Sequence, residues 1–184
     1  MNLDSDENDV EKRGNAGIDI LWPIVDNEQY REALKNAEDG ESPNNISPII
    51  KYSLNKGVRI LWMGDLETDF MDKIKGSLVI DAADILFATH HGRDSGKVPT
   101  DWLKGIEPKI VIIGEAPSED LNYYDGYNTI TQNSAGDIIL DCISGKTHIY
   151  VSNYNYSVDF LDDENLEDTY GKYIGTLKMQ SPAA

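Results

Sequence analysis

Val58-Arg59-Ile60-Leu61-Trp62-Met63-Gly64-Asp65-Leu66-Glu67 and, further on, Asp84-Ile85-Leu86-Phe87-Ala88-Thr89-His90-His91-Gly92 decide how this chain is read. Each is a short apolar run with the length and composition of a buried strand, and each passes directly into a polar turn containing glycine. An aspartate and two histidines are thereby expected at the ends of neighbouring strands. Open α/β sheets place their chemistry at such strand ends.

Working outward, residues 16–22 read as a strand stopped by Pro23, and residues 27–37 carry Tyr30, Ala33, Leu34 and Ala37 at helical spacing. Residues 39–48 are a loop rich in Gly, Ser, Pro and Asn. A strand at 49–54 then turns through Asn55-Lys56-Gly57 into the Val58 run, so two adjacent strands deliver Asp65. Phe70, Met71 and Ile74 give a helix, residues 82–88 a strand, Pro99 with Trp102 and Leu103 a second helix, and 109–113 a further strand. Residues 127–134 read as a helix. A hairpin follows, from 137–142 to 147–152 across Ser144-Gly145-Lys146. Strands alternating with helices, with one closing hairpin, predict a layered α/β domain with a mixed sheet.

The chain has 184 residues, 40% of them hydrophobic, which is ample for one domain with a core. Its formal net charge is -17. A polyanion is repelled by phosphate backbones and anionic lipid, so direct nucleic-acid binding and membrane association by this chain are disfavoured. The single Cys142 excludes an internal disulfide and fits a reducing compartment. No apolar stretch reaches the roughly 18 residues of a membrane span and the N-terminal residues show no signal-peptide pattern, so the expected location is cytoplasmic. Residues 1–15 read as an acidic linker or disordered segment, 16–153 as the folded domain, and 154–184 as an acidic, tyrosine-rich tail that wraps the domain or meets a partner.

A strand-end aspartate can bridge two divalent cations and an imidazole can fill one position on either; such a centre brings the pKa of a bound water near neutrality. The plainer reading makes Asp65 the cap of the following helix, with Glu67 favoured in its first turn, and His90-His91 a polar pair opening a loop. Two such motifs on consecutive β-α units favour a shared site. Elsewhere plain readings prevail. Trp22, Trp62 and Trp102 read as core, His148 as a surface or edge-strand residue, and Ser95 lacks the glycine elbow of a serine nucleophile. Lys97, Lys104 and Lys109 cluster after the histidines in sequence, and Tyr123-Tyr124-Asp125-Gly126-Tyr127 reads as a pocket-shaping loop or an amphipathic turn.

Asn44-Asn45-Ile46-Ser47-Pro48-Ile49-Ile50, the run from Val58 to Glu67, Ala83-Asp84-Ile85-Leu86 leading to His90-His91-Gly92, and Pro108-Lys109-Ile110-Val111-Ile112-Ile113 together resemble the C-terminal half of a metallo-β-lactamase-fold hydrolase. Within that family the pattern is similar to the ComEC-type domains of competence proteins and to phosphorylcholine-esterase-like enzymes, over about residues 18–151. The resemblance implies the second half of an αββα sandwich, in which Asp65 is the metal-bridging aspartate and His91 the late histidine ligand. His90 and Glu67 would lie beside the metals as catalytic groups that orient substrate or carry a proton. The implied cofactor is a divalent metal, zinc before manganese or iron. The implied reaction is hydrolysis of a phosphoester or related ester by metal-activated water.

Enzymes of that fold also use an earlier His-x-His-x-Asp-His segment, and this chain of three histidines contains none. Asp65 and His91, with His90, do not close a dinuclear site, and nothing in the spacing of Asp69, Asp81 or Asp94 singles them out. A half-fold also leaves an apolar sheet face without cover. The chain is therefore expected to act as a metal-dependent hydrolase only when completed by the missing half, by a partner chain or by self-association. Two alternatives are a non-catalytic binding or regulatory module derived from the fold, and a nuclease or phosphodiesterase subunit.

Overall fold

The computed structural model describes residues 16–179. The expected acidic segment at 1–15 lies outside the described residues, as does the end of the tail. Among the described residues nine strands form two sheets. The larger runs in chain order through β1 (Ile18–Trp22), β2 (Ile49–Ser53), β3 (Arg59–Trp62), β4 (Ile85–Phe87), β5 (Ile110–Ile113) and β6 (Thr129–Thr131). The first three strands are antiparallel and β3 to β6 are parallel, so the sheet is mixed.

That switch follows from the connections. The tight turn at Asn55-Lys56-Gly57, closed by the Leu54 amide on the Val58 carbonyl at 3.0 Å, can only reverse the chain. Parallel pairing needs crossovers, which α2 (Thr68–Ile74) supplies between β3 and β4 and α3 (Thr100–Ile106) between β4 and β5. Helix α1 (Glu28–Glu38) spans β1 and β2; its first turn is capped by the Asn27 side chain, which accepts from the Tyr30 amide. The helices cover one face of the sheet, where Leu61, Met63, Leu86, Val111 and Ile113 pack with Phe70, Met71, Ile74, Trp102, Leu103 and Ile106.

The other face carries the second sheet, β7 (Ile138–Ile143), β8 (Lys146–Val151) and β9 (Lys172–Lys178), all antiparallel with β8 in the middle. Ile85, Ile110, Ile112 and Ile130 meet Ile149 and Val151 there in a second apolar cluster. Two registered rows run across this inner face. One is Ile18, Tyr52, Ile60, Ile85, Ile110; the other is Ile20, Ile50, Trp62, Phe87, Ile112, Ile130. Sheet two buries Ile60, Ile85 and Ile110 of the first row and Ile112 and Ile130 of the second, and leaves open an end where Ile18 is 49%, Ile20 68% and Trp62 52% exposed.

The register between β3 and β4 is held by Asp84, which is almost fully buried. Its carboxylate accepts from the Arg59 amide at 2.9 Å and from Lys109 Nζ at 3.0 Å. Burial pushes its pKa up, but these bonds and charges outweigh burial and hold it below the ordinary aspartate value.

The molecule is thus an α/β protein with a mixed six-stranded sheet between helices and a smaller antiparallel sheet. Four expectations need correction. Residues 127–134 are not one helix but β6 followed by the single turn α4 (Gln132–Ala135), because Ile130 alternates into the inter-sheet core. His148 is not at a surface or edge; it lies in the central strand β8, is 7% exposed, and its Nδ1 is 2.8 Å from Thr176 Oγ1. Its cover is β9, which lies in the stretch read as tail. Trp62 is not core, since it stands at the open end of its row. The three lysines do not form one patch: Lys97 pairs with Asp94 beside the histidines, while Lys109 pairs with Asp84 at the opposite end of the strands. Among the described residues no helix is long and apolar enough to cross a membrane.

Candidate functional site

Gly64 ends β3 with φ of +55°, and a Cβ there would lie 2.5 Å from Ser47 Cβ, so only glycine lets the chain turn beneath the Ser47 loop. The turn presents Asp65 to solvent and sends Leu66 into the core. Helix α2 begins at Thr68 with Glu67 as its capping residue and no side-chain cap bond, so Asp65 is not the cap. The Glu67 carboxylate receives the side-chain amides of Asn44 and Asn45, both at 3.2 Å, and the Glu67 amide donates to Asn45 Oδ1. Glu67 is therefore a latch between the β3 exit and the Asn44–Ile46 turn.

At the end of β4 the chain makes a more strained turn. His90, His91 and Gly92 have φ of +47°, +59° and +89° in succession. Left-handed backbone at two adjacent non-glycine residues is unfavourable and persists only where its surroundings impose it. Here the His90 amide donates to the Gly64 carbonyl at 2.9 Å, tying the two motifs together, and Thr89 Oγ1 donates to the Gly96 carbonyl. Gly114, following β5, lets His91 lie close, because a Cβ there would stand 2.9 Å from His91 Cβ and 3.0 Å from its Nδ1.

These two turns bring together one expected pair. His91 Nε2 is 3.7 Å from Asp65 Oδ1, with both side chains about half exposed. His90 turns to a different partner, its Nδ1 lying 2.8 Å from Ser95 Oγ, and its ring is 6.5 Å from that of His91. Asp65 and His91 line a cavity of about 560 Å³ between the sheets, together with Trp62, Phe87, Gln132 and Leu140; His90 and Glu67 do not line it.

Sequence reasoning missed the far wall. Ile138, Leu140 and Cys142 come from alternate positions of β7, and their period of two was legible, but nothing in the sequence told which face of which sheet they would meet. Gln132 was hidden in the supposed helix. Burial pushes the Cys142 thiol pKa up, so the cavity contains a neutral sulfhydryl, which donates to the Leu140 carbonyl at 3.6 Å.

Metal–ligand bonds to imidazole nitrogen and carboxylate oxygen are about 2.0 to 2.2 Å, so donors separated by this distance fit two positions on one cation. Among the described residues no group of three or more His, Cys, Asp or Glu side chains is placed to hold a metal. Asp65 and His91 would make two such ligands. No protein-family model matches the chain, and no curated protein matches it.

Proposed function

We propose that this chain carries one half of a metal-dependent hydrolytic centre for phosphoesters or related esters, on a fold corresponding to the C-terminal half of a metallo-β-lactamase-type sandwich and acting in the cytoplasm. The observation that carries the reading is the strained His90-His91-Gly92 turn, bonded to the Gly64 carbonyl, that holds His91 3.7 Å from Asp65. Asp65 and His91 hold the divalent cation, zinc in the first instance. When bound, such a cation lowers the pKa of a coordinated water towards neutrality and polarises the ester. His90, with Nδ1 engaged by Ser95, has Nε2 left to exchange a proton beside the site. Glu67 contributes by locking the Asn44–Asn45 turn under Gly64 and is given no contact with substrate.

Two donors do not close a zinc site, so further ligands come from another element or chain. The open end of the inner face supports this, because Ile18, Ile20 and Trp62 form an apolar strip beside the Asp65 turn. The nuclease-subunit alternative is weakened because Lys97 and Lys109 are ion-paired at opposite ends of the strands. The binding-module alternative is favoured by the count of two ligands, and one measurement separates it from the hydrolase.

Isothermal titration with zinc is expected to show one weak site, Kd on the order of 100 µM and far from the affinity of closed four-ligand sites. Asp65→Asn and His91→Ala are each expected to abolish it. Zinc binding that is absent in the wild type, or unchanged in both variants, overturns the hydrolase reading and leaves the binding module.

A further inference from the structure

We propose that the cavity between the sheets receives a flat aromatic group of the substrate, making the substrate an aryl phosphoester or related aryl ester. The ester part of this assignment rests on the hydrolytic reading above; the aromatic part rests on the cavity alone.

The cavity exists because the two sheets meet unevenly. Beneath β8 they touch, with Ile149 and Val151 essentially inaccessible. Beneath β7 contact is less complete, since Ile138, Leu140 and Cys142 pack against the inter-sheet cluster yet are only partly buried. Face-to-face sheets stack about 10 Å apart, so a stretch where facing side chains interdigitate incompletely leaves a gap between them. Its volume of about 560 Å³ is ordinary for a small-ligand site.

The walls select what enters. On the larger sheet the Trp62 indole lies flat on the Phe87 ring, with centroids 3.8 Å apart and planes 4° from parallel. Opposite them stand branched aliphatic side chains and a neutral thiol. Among the described residues no lysine or arginine lines the cavity, so an anionic group meets no counter-charge from them there. The charged and titratable groups, Asp65 and His91, stand together where both strand-end turns open on the cavity. An ester held at that pair thus has its uncharged substituent directed between the sheets. An aryl group can make face-on or edge-on contact with the half-exposed Trp62 ring, which a puckered ring of equal size cannot.

The test uses the chain with isotopically labelled Ile and Leu methyl groups and the probes 2-naphthol, 2-naphthyl phosphate and cyclohexanol. 2-Naphthol is expected to shift the Ile112, Ile138 and Leu140 methyl signals in the absence of metal, and cyclohexanol at equal concentration is expected to leave them in place. Leu140→Trp, which fills the gap, should weaken 2-naphthol at least about tenfold while zinc binding is retained. The wild-type methyl map does not depend on that variant's folding. With zinc present, 2-naphthyl phosphate should bind more tightly than 2-naphthol, and Asp65→Asn should remove the difference. Methyl signals unmoved by 2-naphthol, or moved equally by cyclohexanol, overturn the aromatic assignment even where zinc binds. Binding of 2-naphthol without any zinc site upholds the cavity and overturns the ester half.

Discussion

At the scale of single residues, the unusual choice is histidine in left-handed backbone. A non-glycine residue there costs roughly 1 to 2 kcal/mol, and His90 and His91 occupy consecutive positions. His91→Gly is therefore expected to raise stability by about 0.5 to 1 kcal/mol in urea denaturation while removing the proposed zinc site. A loss of stability would show that the imidazole itself holds the turn. Gly114→Ala is the complementary change: its methyl would press on the Cβ and backbone of His91 in the strained turn, so zinc affinity should fall together with some stability. Asp84 gives the opposite case, a residue whose chemistry serves stability. Its folded pKa lies below its unfolded value, so its contribution is complete above the unfolded value, about 3.9, and is lost as pH falls through the folded pKa. Asp84→Asn should cost about 2 to 3 kcal/mol at neutral pH, and the gap between the two denaturation curves should narrow as pH falls below the unfolded value.

At the scale of elements, the two site-bearing strands were legible because each is a dense apolar run ended by a glycine turn, a pattern that needs no distant partner to be recognised. The Asn55-Lys56-Gly57 hairpin and helix α1 were legible for the same reason, being local. What escaped were elements whose identity is decided by remote contacts. β6 has three residues and exists because Ile130 completes a row begun on β1. β9 lies among acids and tyrosines, and becomes a strand through pairing with β8, where Thr176 meets the buried His148 and the Tyr173 hydroxyl. The segment leading to it is fastened by Glu164, whose carboxylate lies 2.6 Å from Lys146 Nζ and is held below its ordinary pKa chiefly by that bond. Removing residues 171–184 is expected to uncover His148, Ile149 and Val151 and to release the smaller sheet. Hydrogen exchange would register this as loss of protection in β7 and β8, with β3 to β5 still protected, and full protection throughout would mean that β9 is dispensable.

At the scale of the whole molecule, two long-range properties oppose each other. The open end of the inner face presents Ile18, Ile20 and Trp62 as an apolar strip, and covering an isoleucine stabilises an association by about 1.5 to 3 kcal/mol. The net charge of -17 resists bringing two copies together. The first force is nearly indifferent to moderate salt, whereas the second is screened beyond about 10 Å at 0.1 M and about 3 Å at 1 M. Association of the chain with itself should therefore depend on ionic strength in the direction opposite to that of an ion-paired complex. In sedimentation velocity the chain is expected to run as a monomer near 20 mM salt and to shift towards dimer and larger species near 0.5 M, conditions chosen from the screening lengths. Ile20→Lys, which places a charge in the strip, should keep it monomeric throughout, and bound 1-anilinonaphthalene-8-sulfonate should fall in parallel. If the wild type stays monomeric at high salt, the strip is too small to drive association between copies. A completing partner would then have to bring more than apolar cover, and positive charge facing this polyanion together with the missing metal ligands is what the chemistry of the site requires of it.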